Sequence, residues 1–270
     1  MSGSPFGPKD VTGPLPIDEV LPGSSFWALM DRRGILPDWQ GAENALPIDL
    51  PDATTVLALR WEDGVVIAGD RRATAGTIIA HKRVRKVYAA DRFSAVAISG
   101  TAGMAIELIK LFQTELEHYE KIEGTRLSLE GKANFLARLV RQNLPLAFQG
   151  LVVVPLFCGF DEREQVGRLY SFDVVGGRYD EEDYATTGSG GSEARSFLKA
   201  TYRPDLDAES AIELAVEALV AAAEEDAATG GPDPRRGIYP NVITVTADGY
   251  TEVPDDDLAG VTERVLGGRP

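Results

Sequence analysis

The sequence predicts an α+β fold: a four-layer αββα sandwich, with two packed, largely antiparallel sheets and helices on the outer faces. Three observations predict it. Short β-prone runs come in pairs joined by tight turns such as Asp63-Gly64 and Asp248-Gly249, the sign of antiparallel hairpins. Amphipathic helices come two at a time, which argues against a doubly wound parallel sheet, where they would alternate with strands. Hydrophobic residues make up 44% of 270 residues, enough to fill a large core.

The elements follow in order. Residues 1–53 hold eight of the sixteen prolines and read as a leader, with at most one apolar helical turn at Ser24–Met30 that would dock on a partner subunit. Strands are expected at Thr55–Arg60 and Val65–Gly69, joined at Glu62-Asp63-Gly64, then at Val84–Ala89 and Phe93–Ser99 around Asp91-Arg92. Two long helices come next. Met104, Leu108, Leu111 and Phe112 form one apolar face, widened by Ile109 and Leu116; Leu136, Leu139, Val140 and Leu144 form the other, which Pro145 closes. Strands return at 151–160, 167–174 and about 180–187, with a turn at Gly176-Gly177. A third helix covers 191–201, and a fourth starts after Asp207 as N-cap, with Ile212, Val216, Leu219 and Val220 on one face. A hairpin of Val242–Thr246 and Tyr250–Val253 and a helix at 255–265 complete the chain. It shows no internal repeat.

Composition narrows the function. A net charge of −15 disfavours nucleic acid and anionic membrane as partners. The charge is spread along the chain, so it describes a solvated surface. The single cysteine, Cys158, lies in the apolar run 151–160; it rules out an intrachain disulfide and fits a reducing cytoplasm. It reads as a core residue. His81 and His118 are the only histidines, too few for a zinc site or a Ser-His-Asp triad, and His118 is expected on a helix surface. Met1 to Asp10 carry one lysine and no apolar core, so no secretory signal is expected, and no run is long enough to span a membrane. The expected location is cytoplasmic.

The chemistry starts at the boundary between leader and body, in Ala53-Thr54-Thr55. A threonine hydroxyl is a weak nucleophile that needs a neighbouring base. A free α-amino group on the same residue can be that base, because its ordinary pKa of roughly 7.7–8 lies near working pH. While Ala53 remains attached, that nitrogen is an amide and the base is missing. Thr54-Thr55 alone also suits the start of an ordinary strand.

Four further segments bear on the choice. Gly69-Asp70-Arg71-Arg72 ends a buried strand on charges, which is also a common way to leave a core. Arg85-Lys86-Val87 puts Lys86 on the face of Val84 and Tyr88 if the segment is a strand; pointing inward, it needs an acid, and Asp70 is the candidate. Such a cation would lower the Thr54 hydroxyl's pKa and hold developing negative charge. On an edge strand it would be an ordinary surface lysine. Ser99-Gly100-Thr101 joins a strand to a helix N-terminus, suited to an oxyanion hole or to plain capping. Thr187-Gly188-Ser189-Gly190 and Asp226-Ala227-Ala228-Thr229-Gly230-Gly231 are, taken singly, a turn and a helix stop.

Together with Glu115–Lys121 and Pro232-Asp233, these segments resemble the β subunits of the proteasome core particle, most closely the actinobacterial type, across essentially all of residues 54–270. Asp70 lies sixteen residues after Thr54, Lys86 thirty-two and Gly100 forty-six, and taking Thr55 as nucleophile would break all three matches. The resemblance implies the N-terminal nucleophile hydrolase fold. It implies Thr54 as nucleophile with its freed amine as base, Asp70 and Lys86 as a charge pair beside it, and the Gly100 N–H as oxyanion hole. Ser189, Asp226 and Thr229 would orient the amine. Ala73, Thr74, Val84, Tyr88, Ile98 and Ala102 fall where the family binds substrate, and their mostly apolar character implies cleavage after hydrophobic residues. Two departures stand out: Ala53 where the family usually has glycine, whose Cβ is expected to slow self-cleavage, and Thr229 where many members have serine.

The reading that follows is a threonine endopeptidase made as a zymogen and matured to 270 − 53 = 217 residues. The resemblance implies seven-membered β rings, capping rings of α subunits, a hexameric ATPase docked on the α ring and unfolded, tagged protein substrates. It calls for no metal and no cofactor. The rivals are a non-catalytic ring subunit, the related two-ring bacterial threonine peptidase, and a plain binding domain.

Overall fold

The computed structural model describes residues 54–75 and 78–268. The leader, its expected helical turn and Ala53 lie outside the described residues.

The first sheet has the order β10-β1-β2-β11-β12, from β1 (Thr55–Trp61), β2 (Gly64–Gly69), β10 (Tyr184–Gly188), β11 (Asn241–Thr246) and β12 (Gly249–Glu252). The second has the order β5-β6-β7-β8-β9, from β5 (Val87–Asp91), β6 (Ser94–Gly100), β7 (Val153–Asp161), β8 (Val166–Phe172) and β9 (Arg178–Glu181). All pairings in both are antiparallel. The helices α1 (Ala102–Glu123) and α2 (Leu129–Gln142) are followed by the short α3 (Leu144–Ala147), then by α4 (Gly191–Thr201), α5 (Ala208–Glu225) and α6 (Asp255–Gly267).

Strand alternation assigns each side chain to a layer. Val56 and Ala58 of β1 and Val65 and Ile67 of β2 meet Ala95, Ala97, Leu156 and Cys158 between the sheets. Their neighbours Leu57, Leu59, Val66 and Ala68 face Leu214, Leu219 and Leu258 of α5 and α6. On the opposite flank, Val96, Ile98 and Phe157 face Leu108, Phe112 and Leu136 of α1 and α2. Both faces of each central strand are covered, which is why these strands read as continuous apolar runs. The expected αββα sandwich is the observed one.

Local signals fix several ends. Ser128 caps α2 by accepting the Gly131 N–H at 3.1 Å, and Asp207 caps α5 by accepting the Ser210 N–H at 2.8 Å. Five expectations need correction. The strand expected at 180–187 is two strands, β9 and β10, in different sheets, with the chain crossing between them at Glu182-Asp183. The strand expected from Val84 begins at Val87; the Val84 N–H instead bonds the Arg71 carbonyl at 3.0 Å. A two-stranded ribbon, β3 (Ala73–Ala75) and β4 (Ile78–His81), occupies a stretch where no strand was expected. Pro145 does not close α2, which ends at Gln142; it opens α3, where a missing N–H costs nothing. Leu111, expected on the packed face of α1, is 48% exposed, whereas His118 is exposed as expected.

Candidate active site

The register of β1 and β2 pairs Val56 with Gly69, so Thr54 and Thr55 lie beside Asp70 at the strand ends. Asp70 is completely buried, and its carboxylate is fully engaged. Oδ1 accepts the Thr55 N–H at 2.9 Å and the Lys86 ammonium at 2.5 Å; Oδ2 accepts the N–H groups of Arg72 at 2.8 Å and Gly230 at 2.9 Å. Lys86 comes from just before β5 in the other sheet, so the pair bridges the two sheets. It points inward as expected, though not by strand alternation: its own N–H is held by the Asn241 side chain at 3.2 Å. Burial lowers the Lys86 ammonium below its ordinary pKa, and the Asp70 carboxylate pulls the other way.

Thr54 is 5% exposed. Its carbonyl accepts the Ser189 N–H at 3.0 Å, where the chain leaves β10. Gly188 has φ +101°, and a Cβ there would stand 1.7 Å from the Thr54 carbonyl oxygen, so only glycine lets this turn close on the threonine. Beyond it lies a hydroxyl network. Asp226, at the end of α5, accepts the Ser189 hydroxyl at 2.6 Å and the Thr229 hydroxyl at 2.5 Å on Oδ2, and the Ala228 N–H at 3.0 Å on Oδ1. Burial pushes this carboxyl up, but those hydroxyl and N–H donors outweigh it and hold the pKa below the ordinary carboxylate value. Arg72 fastens the same turn by donating to the carbonyls of Ala227 at 2.8 Å and Thr229 at 3.0 Å.

A narrow pocket opens from Thr54. Lys86 and Gly100 lie on its wall, with Ala73, Val84, Tyr88, Ile98 and Ala102 around them. Gly100 ends β6 with φ +105°, and a Cβ there would lie 2.1 Å from the Val152 carbonyl oxygen. The strand can pass into α1 at this point only through glycine. Among the described residues, no group of three or more His, Cys, Asp or Glu is placed to hold a metal ion.

The sequence profile of the family described as Proteasome subunit matches residues 51–232. The chain belongs to the proteasome subunit family. It is similar to a protein named proteasome subunit beta from Acidimicrobium ferrooxidans, 54% identical over 237 residues, covering 88% of this chain and 87% of that one. A protein of the same name from Jonesia denitrificans is 50% identical over 254 residues, covering 93% and 84%. These relations establish a bacterial-type β subunit of the proteasome core particle, a peptidase that assembles with other subunits. No helix among the described residues is long and apolar enough to cross a membrane.

In this proteasome β subunit the structure gathers Thr54, Asp70, Lys86 and Gly100 at one pocket, and Ser189, Asp226 and Thr229 in the adjoining network. Of the six expected substrate-binding residues, five line the pocket; Thr74, on β3, does not. Sequence reasoning missed Arg85, Ala105, Ile106 and Ile109 on the pocket wall, and Thr55 and Arg72 in the network. The three helical residues had a signal, since 102, 105, 106 and 109 share one face of α1. Nothing local marks the side-chain hydrogen-bond partners of Thr55 and Arg72 in Thr229 and the 227–229 turn, which lie more than a hundred residues away.

Proposed function

We propose that this chain is the threonine endopeptidase subunit of a cytoplasmic proteasome, made as a precursor and activated when residues 1–53 are removed at Ala53-Thr54. The observation that carries the reading is the buried Thr54 on the wall of an apolar pocket shared with Lys86 and Gly100, beside the 2.5 Å Asp70–Lys86 pair. Cleavage frees the Thr54 amine. As the Thr54 hydroxyl attacks the scissile carbonyl, the amine takes its proton, the carbonyl becomes an oxyanion facing the Gly100 N–H, and the Lys86 charge stabilises the nucleophilic oxygen. The proton then passes to the leaving amine and the peptide bond breaks, leaving an ester on Thr54. Water, deprotonated by the same amine, hydrolyses the ester and restores the hydroxyl.

Ser189 completes the arrangement. Its only proton is committed to Asp226, so its oxygen offers lone pairs to the N–H groups of the new amine. The amine's own lone pair is thereby left for the Thr54 hydroxyl. The apolar pocket favours hydrophobic residues before the cleaved bond. The partners of this reading are other β subunits in a seven-membered ring, α subunits capping it, a hexameric ATPase on the α ring, and unfolded polypeptides as substrates.

The test is the intact mass of the chain co-expressed with its α partner, wild type beside Thr54→Ala. Loss of 53 residues in wild type alone supports the reading. Full-length chain in both would overturn self-activation and favour the scaffold subunit, the reading that Ala53 in place of glycine prefers.

A further inference from the structure

We infer that Thr55 is a positioning residue for peptide hydrolysis: its amide and hydroxyl bolt the Asp70–Lys86 pair to the Asp226 network, holding Thr54 in line with its own amine. This rests on Thr54 being the nucleophile.

Thr55 is completely buried at the head of a strand whose next four residues, Val56 to Leu59, are apolar and equally buried. Valine has the same shape and would suit both the strand and the burial. A hydroxyl here must be matched by hydrogen bonds to be tolerated. It is matched twice: Oγ1 lies 2.9 Å from the Gly190 nitrogen and 2.6 Å from the Thr229 hydroxyl. Every proton then has one direction. Asp226 is an acceptor, so the Thr229 proton goes to it; the Thr55 proton therefore goes to Thr229, and a Thr55 lone pair takes the Gly190 N–H. The relay runs from Gly190 through Thr55 and Thr229 to Asp226 Oδ2, the oxygen that also accepts the Ser189 hydroxyl.

The other half of the bolt is the Thr55 N–H, which donates to the Asp70 oxygen that also contacts Lys86. One residue thus touches the partner of the cation and the partner of the amine-orienting acid. Both ties bear on Thr54. Gly190 follows Ser189, whose N–H holds the Thr54 carbonyl. If the Thr55 hydroxyl is lost, the Gly190 N–H has no acceptor in its present position. The 188–190 turn then relaxes, carrying Ser189 and the Thr54 carbonyl with it. A misplacement of reacting groups on this scale costs roughly 10- to 100-fold in rate with little change in binding.

The experiment uses full-length chain co-expressed with its α partner, in wild type, Thr55→Ser, Thr55→Ala, Thr55→Val and Thr54→Ala forms. The readouts are assembled particle, intact mass, and kcat and KM on a fluorogenic peptide with an apolar residue before the reporter. Thr55→Ser and Thr55→Ala both lose the buried methyl and differ by one oxygen, so any packing defect is common to the two. We expect Thr55→Ser to stay close to wild type, while Thr55→Ala and Thr55→Val fall about 10- to 100-fold in kcat with KM unchanged. If Thr55→Ala matches Thr55→Ser, or if KM rises in step with the loss of kcat, the inference is overturned while the nucleophile reading stands. Activity in Thr54→Ala would instead remove the nucleophile, and the inference with it.

Discussion

Replacing Asp70 by asparagine turns one carboxylate oxygen into a donor, and the surroundings of that carboxylate set the cost. Each oxygen accepts two N–H groups, from Thr55 and Lys86 on one side and from Arg72 and Gly230 on the other. Whichever way the amide turns, two N–H donors face an NH2 group. A hydrogen bond to a charged acceptor contributes roughly 1.5–3 kcal/mol, so losing two of them costs about 3–6 kcal/mol. The Asp70 carboxylate itself is completely buried, so solvent can do little to replace the lost donors. At about 2–4 °C per kcal/mol for a domain of this size, Asp70→Asn should lower Tm by roughly 6–24 °C. The assay is thermal unfolding of the full-length chain at pH 7, with Asp180→Asn as control. Asp180 is 54% exposed and ion-paired to Arg178 at 3.3 Å, and a surface pair of that kind contributes about 1 kcal/mol or less. An Asp70→Asn Tm equal to that of the control would refute the four-donor account of this carboxylate.

Gly100→Ala should abolish peptide hydrolysis and lower Tm, because φ +105° and a Val152 carbonyl 2.1 Å from the new Cβ force the backbone to move; near-normal turnover would contradict this. Asp226 predicts a pH effect. Its folded pKa is held below the unfolded value of about 3.9, so its contribution is complete above that pH and is lost as pH falls through the lower folded value. The stability gap between wild type and Asp226→Asn, from urea unfolding, should therefore shrink between pH 5 and the acid limit, where an unchanged gap would count against the network. Ala53→Gly should speed loss of the leader, followed by intact mass over time after mixing with the α partner; an unchanged rate would show that the Cβ before Thr54 is no obstacle.

Much of this architecture was legible because it depends on periodicity and short turns. The Asp-Gly hairpins, the paired helices and the Asp207 cap all act within a few residues, and each was found. The failures have physical causes. In β4 all four residues, Ile78 to His81, are exposed, so the ribbon has no apolar alternation to read. The crossing at Glu182-Asp183 carries neither glycine nor proline, so two strands in different sheets read as one. Val84 to Lys86 alternates like a strand, but its backbone is bonded to Arg71 and Asn241. Lys86 thus reached its inward position by a different route from the one its neighbours suggested. The spacing of Thr54, Asp70, Lys86 and Gly100 was readable, whereas the Thr55–Thr229 contact, 174 residues apart, was not.

That separation orders events during synthesis. The carboxylate of Asp70 reaches its full set of donors only when the Gly230 N–H arrives, and the Asp226–Thr229 turn comes from the same late stretch of chain. A ribosome emits the chain from its N-terminus at roughly 5–20 residues per second. Thr54 therefore emerges well before the groups that complete its surroundings. A nascent chain cannot carry the finished site until Gly230 has been made, so this peptidase is chemically silent while the long stretch between Thr54 and Gly230 is being translated.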